Sequence, residues 1–261
     1  MRRRALLSQS AQSVTNKYLT IEALEDGLTA SLSVNACEYC VDGDYNWKTL
    51  QAGTSTVSIN AGQTLSFRGQ LIPNSSTGIG TFTITKKCNL SGNCMSMLFG
   101  DDADINFSLA GKDSAFRSLF EYNSTIINVS PDFLPATTLV NACYLYTFRN
   151  CSSLLSAPNL PATTIVNNCY YGTFRYCSSL TTAPVLPSLS LYKNCYYRMF
   201  QGCTVLNYIE AYFLDNPSEN CVDWVTNVAS KGTFVKNSAA TWNVVGTAGV
   251  PSGWTIIKKN V

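Results

Sequence analysis

The sequence predicts a β + α/β fold: an N-terminal antiparallel β-sandwich-like domain, then a short repeat solenoid closed by a C-terminal β cap. Three observations predict it. Apolar residues alternate with polar ones from Lys17 to about residue 92, with turn signals between the runs. A related unit then recurs to about residue 230. The last thirty residues return to short β-like runs around tryptophans.

In the first part, Leu19, Ile21 and Ala23 alternate with Thr20 and Glu22, and Leu28, Ala30, Leu32 and Val34 follow after Glu25-Asp26-Gly27. Asp-Gly between alternating runs signals a hairpin, because glycine takes the positive φ of the turn. A second hairpin is predicted from Cys37–Val41 through Asp42-Gly43-Asp44 to Tyr45, Trp47 and Leu50. A third joins Val57-Ser58-Ile59 to Leu65-Ser66-Phe67, and Thr81–Thr85 is a last strand. Tyr45 and Trp47 have two readings: stacking on a sugar, or filling the sandwich core, which such aromatics do more often.

The second part carries the strongest signal. FRNCSSLLSAPNLPATTIVNNCYYGT from Phe148 and FRYCSSLTTAPVLPSLSLYKNCYYRM from Phe174 are identical at 14 of 26 positions. The frame recurs at Phe200, and degenerate copies start near Asn93 and Phe120. A fixed period of this length predicts a leucine-rich-repeat solenoid. Each unit then has a strand at Ser153–Ala157 with Leu154 (Leu180, Leu206) facing in, ended by Pro158 and Pro161. A short helix capped by Thr163 or Thr164 follows, with Ile165 and Cys169 on one face. Cys143, Cys169, Cys195 and Cys221 fall 26 apart, as do Cys151, Cys177 and Cys203. The simplest reading is a column of small buried thiols; disulfides such as Cys143–Cys151 are the alternative. Cys37-x-x-Cys40 has zinc or redox spacing, but Cys88 and Cys94 complete a zinc set poorly.

Towards the carboxyl end, Pro217-Ser218 opens a predicted helix with Cys221, Trp224, Val225 and Val228 on one stripe. Gly232–Lys236 and Trp254–Lys258 read as strands, with Trp224, Trp242 and Trp254 as a lid on the stacked core. The predicted organisation is a basic tail over 1–16, a β domain over 17–92, the solenoid over 93–230 and the cap over 231–261.

Composition narrows the function. The chain of 261 residues has net charge +2 and only 13% charged residues, which argues against a nucleic-acid binder. It has no histidine, which removes the commonest general base and metal ligand. No apolar run reaches the roughly 20 residues of a membrane helix, so membrane insertion is not expected. No catalytic residue, metal or cofactor is assigned. The densest acidic cluster, Asp101, Asp102 and Asp104, reads as a solvated turn or an occasional Ca²⁺ contact rather than a glycosidase pair. The apolar stretch after Met1 is too short for a signal peptide. Arg2, Arg3 and Arg4 are read as an anchor onto a neighbouring subunit. On the repeats, Arg149, Arg175, Tyr171, Tyr197 and Arg198 are the candidate ligand surface, since aromatics beside guanidinium groups suit sugar rings. One tyrosine of each pair Tyr170/Tyr171 and Tyr196/Tyr197 is expected to be buried.

The phrases SSLLSAPNLPATTIVNNCYYGTF and CSSLTTAPVLP resemble the BspA-like leucine-rich repeats of gut Bacteroidota and of the phages that infect them. The likeness extends to VDGDYNWKTL, AGQTLSFRGQL, GIGTF, MSMLFGDD, ASKGTFVKN and VPSGWTI, roughly residues 17–258. The resemblance implies a non-enzymatic surface or adhesion role and supplies no ligand. Cell-surface members carry a secretion signal, whereas a virion protein requires none. The expected function is a virion structural or adhesion protein (head decoration, head fibre or tail-associated). Its partners are other virion proteins through the tail and a host-surface glycan or protein, with a homo-oligomer left open. The alternative is a bacterial cell-surface adhesin or glycan-binding module.

Overall fold

A computed structural model of the protein describes residues 17–261. Among these residues it is a β-rich fold of eleven strands in three sheets, with one four-residue helix, α1 (Ser96–Phe99), and two single 3-10 turns. The expectation of a leucine-rich-repeat solenoid with an α/β alternation is therefore corrected. No helix follows Thr163 or Thr164, and none opens at Pro217. The predicted strand at Ser153–Ala157 is reduced to one bridge, Asn128 to Ser156.

The largest sheet contains β1 (Leu19–Ala23), β3 (Cys37–Val41), β4 (Lys48–Leu50), β5 (Thr64–Arg68), β7 (Cys88–Ser91) and β8 (Ile126–Val129), in the order β4-β3-β5-β1-β7-β8. β1 is central, paired antiparallel to β5 and β7. It is covered on both faces: Leu19, Ile21 and Ala23 are buried on one, and Thr20 is buried on the other, where its hydroxyl meets that of Ser66 at 2.9 Å. β2 (Ala30–Leu32) and β6 (Phe82–Ile84) form a separate antiparallel pair. Of the three predicted hairpins, only the one through Asp42-Gly43-Asp44 joins its own flanking strands, β3 and β4. After Gly27 the chain leaves the sheet of β1, and Leu28 bridges to Ile59. Alternation fixes which face a residue takes, not which strand it meets.

β7 precedes residue 92 and β8 follows it, yet the two pair in parallel. The predicted boundary thus lies within one sheet, and the buried residues from Leu19 to Trp254 form a single cluster. At the far end β9 (Tyr208–Ala211), β10 (Thr233–Asn237) and β11 (Thr255–Lys259) form a parallel sheet in the order β11-β10-β9.

Between these sheets the repeats stack as layers of linked turns. Alternate backbone N–H groups bond within the layer and to the next one. Thr147 and Arg149 donate locally to the carbonyls of Tyr144 and Tyr146. Tyr144 and Phe148 donate across, to Cys169 (3.0 Å) and Thr173 (2.9 Å). The pattern repeats one layer on, with Tyr170 bonded to Cys195 and Phe174 to Met199. A helix would keep these N–H groups to itself; here half of them tie layers together. The geometry demands a left-handed residue every fourth position: Ala142, Tyr146 and Asn150; then Asn168, Gly172 and Tyr176; then Asn194, Arg198 and Gly202.

Three side-chain columns fill the layers. Phe120, Phe148, Phe174 and Phe200 stack with centroids 5.6, 5.7 and 5.9 Å apart. Tyr144, Tyr170 and Tyr196 stack at 5.7 and 5.9 Å. Leu154, Leu180 and Leu206 are fully buried. Trp224 closes the ring columns against Phe200 and Tyr196, its indole N–H donating to Gly249. Trp242 and Trp254 likewise donate to backbone carbonyls, of Phe213 and Ala229.

Tyr45 and Trp47 do not fill the core. Tyr45 is 70% exposed, and Trp47 is half-buried under the Arg68 guanidinium.

Candidate functional site

The layer geometry decides which side chains reach the surface. In each turn segment the even-numbered rings Tyr144, Phe148, Tyr170 and Phe174 point into the stack. Tyr146, Arg149, Tyr171 and Arg175 of the same segments lie half-buried on the outside. Tyr170 and Tyr196 are buried, whereas Tyr171 and Tyr197 are half-buried on the outside, as the sequence pairing predicts.

These outer groups form a continuous ridge across the layers. Tyr171 stacks on Tyr197 at 4.5 Å, and Tyr146 meets Tyr171 edge-on at 5.3 Å. The Arg198 guanidinium lies 4.8 Å from the Tyr197 ring and pairs with Asp223 at 3.3 Å. Arg149 lies 4.2 Å from Tyr146 and 5.2 Å from Tyr122, donates to the Tyr122 hydroxyl at 2.8 Å, and pairs with Glu121. Arg175 lies 4.7 Å from the ring of Tyr176 and donates to its hydroxyl at 3.1 Å. Four of the five predicted surface residues, Arg149, Tyr171, Tyr197 and Arg198, therefore lie along the ridge, while Arg175 is paired with its neighbour Tyr176. All five are half-buried.

Burial first, and hydrogen bonding with the Tyr146 side chain second, push the Tyr171 hydroxyl well above the usual tyrosine range. It is a neutral hydroxyl at any ordinary pH. The ridge offers aromatic faces, hydroxyls and guanidinium donors whose charge is largely balanced by Glu121 and Asp223. Such groups can bind and orient a polar ligand; within the ridge there is no nucleophile activated by a neighbouring base.

Five participants were not singled out from sequence: Tyr122, Tyr146, Tyr176, Glu121 and Asp223. The signal for two of them was present. Tyr146, Gly172 and Arg198 occupy one repeat position, and so do Tyr176 and Gly202. Where one layer has glycine, the aromatic of the preceding layer covers it. A Cβ on Gly172 would lie 2.5 Å from the Tyr146 ring, and one on Gly202 would lie 2.2 Å from that of Tyr176. Asp223 was hidden by a one-residue slip. Arg198 and Phe200 donate to the carbonyls of Val222 and Trp224, 24 positions on, whereas Tyr144 and Phe174 reach 25 positions on, so the last layer repeats after 25 residues, not 26.

The cysteines are structural. All eleven are free and buried. The thiols of Cys151, Cys177 and Cys203 donate to the carbonyls of Phe120, Phe148 and Phe174 at 3.1–3.2 Å, latching each layer to the one before. Burial raises the Cys195 thiol to about 11 and those of Cys143 and Cys203 to about 12. No group of three or more metal-ligating side chains is assembled among the described residues. Cys221, predicted to continue the first column, sits opposite Tyr196 because of the slip. The anchor residues Arg2, Arg3 and Arg4 lie outside the described residues. Among the described residues no helix is long and apolar enough to cross a membrane.

Comparison with protein-family models, curated proteins and solved structures gives no match.

Proposed function

We propose that the chain is a non-enzymatic structural and adhesion protein of a phage particle, a head decoration, head fibre or tail-associated component, that contacts a host-surface glycan through the tyrosine–arginine ridge. One observation carries the binding part of this reading. Tyr122, Tyr146, Tyr171 and Tyr197 run across successive layers with Arg149 and Arg198 stacked on them. A sugar presents apolar C–H faces and hydroxyls together, and this surface presents ring faces and guanidinium donors together. The spacing is set by backbone hydrogen bonds between layers, so the ridge is organised before a ligand arrives, which lowers the entropic cost of binding.

The particle assignment rests on the resemblance of the repeat phrases to those of Bacteroidota and their phages. In this reading Arg2, Arg3 and Arg4 dock the chain on other virion proteins. The same ridge would serve a bacterial cell-surface adhesin, and only the address would differ.

The test is a glycan array probed with the wild type and with Tyr171→Ala/Tyr197→Ala. Binding by the wild type and at least a tenfold loss in the variant is expected. Equal signals from the two would remove the ridge as the binding surface. Capsid and portal genes beside the coding sequence are the expected context; a surface-polysaccharide locus instead would favour the cell-surface address.

A further inference from the structure

A second polar site lies far from the ridge in sequence, on the antiparallel part of the largest sheet. A cleft of about 380 Å³ opens between β3, β4, the end of β5 and the Gly100–Asp101 turn. Glu38, Thr49, Arg68, Gln70 and Asp101 line it.

Arg68 organises the cleft. Its Nε donates to Glu38 at 2.8 Å, and its Nη1 donates to both oxygens of Asp101 at 2.9 and 3.0 Å. Its guanidinium lies 4.1 Å from the Trp47 ring, which backs it. Trp47 is held edge-on by Tyr18 at 4.8 Å, and the Tyr18 hydroxyl donates to Asp101 at 2.7 Å. Tyr45 stands 6.4 Å from Tyr18, its ring open to solvent at the hairpin tip. Two carboxylates, one guanidinium and two uncharged polar groups thus converge on one cleft, fixed by a rigid aromatic backing.

We propose that this cleft is a second binding subsite, for a neutral sugar unit whose hydroxyls donate to Glu38 and Asp101 and accept from Arg68. The chemistry favours a polyol over the alternatives. The carboxylates repel an anion. With Arg68 between them they present too little net negative charge to hold a bare cation. A diol offers donors and acceptors together, matching an alternating acceptor–donor–acceptor wall. Hydrogen bonds from Tyr18 and Arg68 hold Asp101 below the usual carboxylate range, so it faces the cleft as an ionised acceptor. The nearby Cys37 thiol is raised to about 12 by burial and supplies no nucleophile.

The proposal is independent of the ridge, and its test separates the two. Trp224, Trp242 and Trp254 are buried, so Trp47, half-buried and 4.1 Å from the guanidinium of the cleft residue Arg68, is the tryptophan that reports on the cleft. Intrinsic fluorescence is titrated with cellohexaose, mannohexaose and xylohexaose, for the full chain and three variants. A saturable change with at least one sugar is expected in the wild type. It should persist in Tyr171→Ala/Tyr197→Ala, disappear in Trp47→Phe, and weaken at least tenfold in Glu38→Gln/Asp101→Asn. Glu38 and Asp101 are substantially exposed (side chains 45% and 59%), so that variant should fold, as checked by its circular dichroism. No saturable change with any of the three sugars overturns the proposal, and so does a response that survives Glu38→Gln/Asp101→Asn. A response lost with the ridge variant assigns the sugar to the ridge instead.

Discussion

Removing one ring from the middle of the phenylalanine column should weaken the protein along its whole length. Phe174 is fully buried and lies between Phe148 at 5.7 Å and Phe200 at 5.9 Å, with interplanar angles of 2° and 6°. Truncating a buried phenylalanine to alanine costs about 3–5 kcal/mol. Each lost ring pair is worth roughly 0.5–1.5 kcal/mol beyond its area, and Phe174 has two, so Phe174→Ala should fall at the upper end. The layers cannot close the gap, because their separation is set by backbone bonds such as Phe148 N–H to Thr173 and Phe174 N–H to Met199. The assay is urea unfolding followed by two signals. Trp224, Trp242 and Trp254 report on the far end, and Trp47, isolated by difference against Trp47→Phe, reports on the first sheet. Both signals should shift to the same lower midpoint with little change in slope. Leu28→Ala, buried in the first part, should shift the same two signals together, because one buried cluster joins both parts. A loss below about 1 kcal/mol for Phe174→Ala, or a Trp47 transition that stays put while the other tryptophans move, would refute the reasoning.

Two further outcomes follow from local geometry and from the thiols. Gly172 has φ +57° and its missing Cβ would meet the Tyr146 ring at 2.5 Å; Gly172→Ala should lose about 1–2 kcal/mol from the left-handed backbone plus the clash, and introduced into Tyr146→Ala it should cost only the backbone part, by thermal unfolding of all three variants. Burial raises thiols that ordinarily titrate near 9.0, to about 11 for Cys195 and about 12 for Cys37, Cys88, Cys143 and Cys203. The sign follows from linkage: below pH 9 both states hold these protons, and above it the unfolded chain releases them first, so stability should fall from about pH 9 towards pH 12. Circular dichroism against pH reads this out, and an Ellman titration of the native protein near pH 8 should find almost no reactive thiol; a flat stability profile to pH 12 or fast native labelling contradicts it.

The sequence was most legible where side-chain identity alone decides burial. Leu154, Leu180 and Leu206, the inner tyrosines Tyr170 and Tyr196, and the cysteines of the two columns are buried as the repeat predicts, with Cys221 displaced by the one-residue slip. The strands β1, β3, β5, β10 and β11 also fall on the predicted runs. Backbone conformation was less legible. Ile165 and Cys169 have helical spacing, but four-residue periodicity also fits linked turns with a left-handed residue every fourth position. Ala142, Tyr146 and Arg198 give no warning of positive φ, whereas Gly172, Gly202, Asn150, Asn168 and Asn194 do. At Tyr45 and Trp47, composition predicted core filling, but the hairpin that carries them leaves Tyr45 in solvent and sets Trp47 against Arg68. That pairing spans 21 positions, from 47 to 68, with no local pattern to announce it.

The two candidate surfaces differ in how free they are to change. On the ridge, Tyr146 and Tyr176 cover glycines that the left-handed positions favour, so those aromatics also cover backbone between layers. Losing Tyr146 would uncover Gly172 and release Arg149 from one of its two ring contacts. Tyr171 and Tyr197 cover no such glycine; they lie at ordinary backbone angles and contact mainly each other, Tyr146 and Arg198. Substitutions there should alter recognition at little structural cost, while the same substitutions at Tyr146 or Tyr176 should cost stability as well. In the proposed reading, specificity would therefore be adjusted at Tyr171 and Tyr197, while Tyr146 holds the spacing at which they are presented.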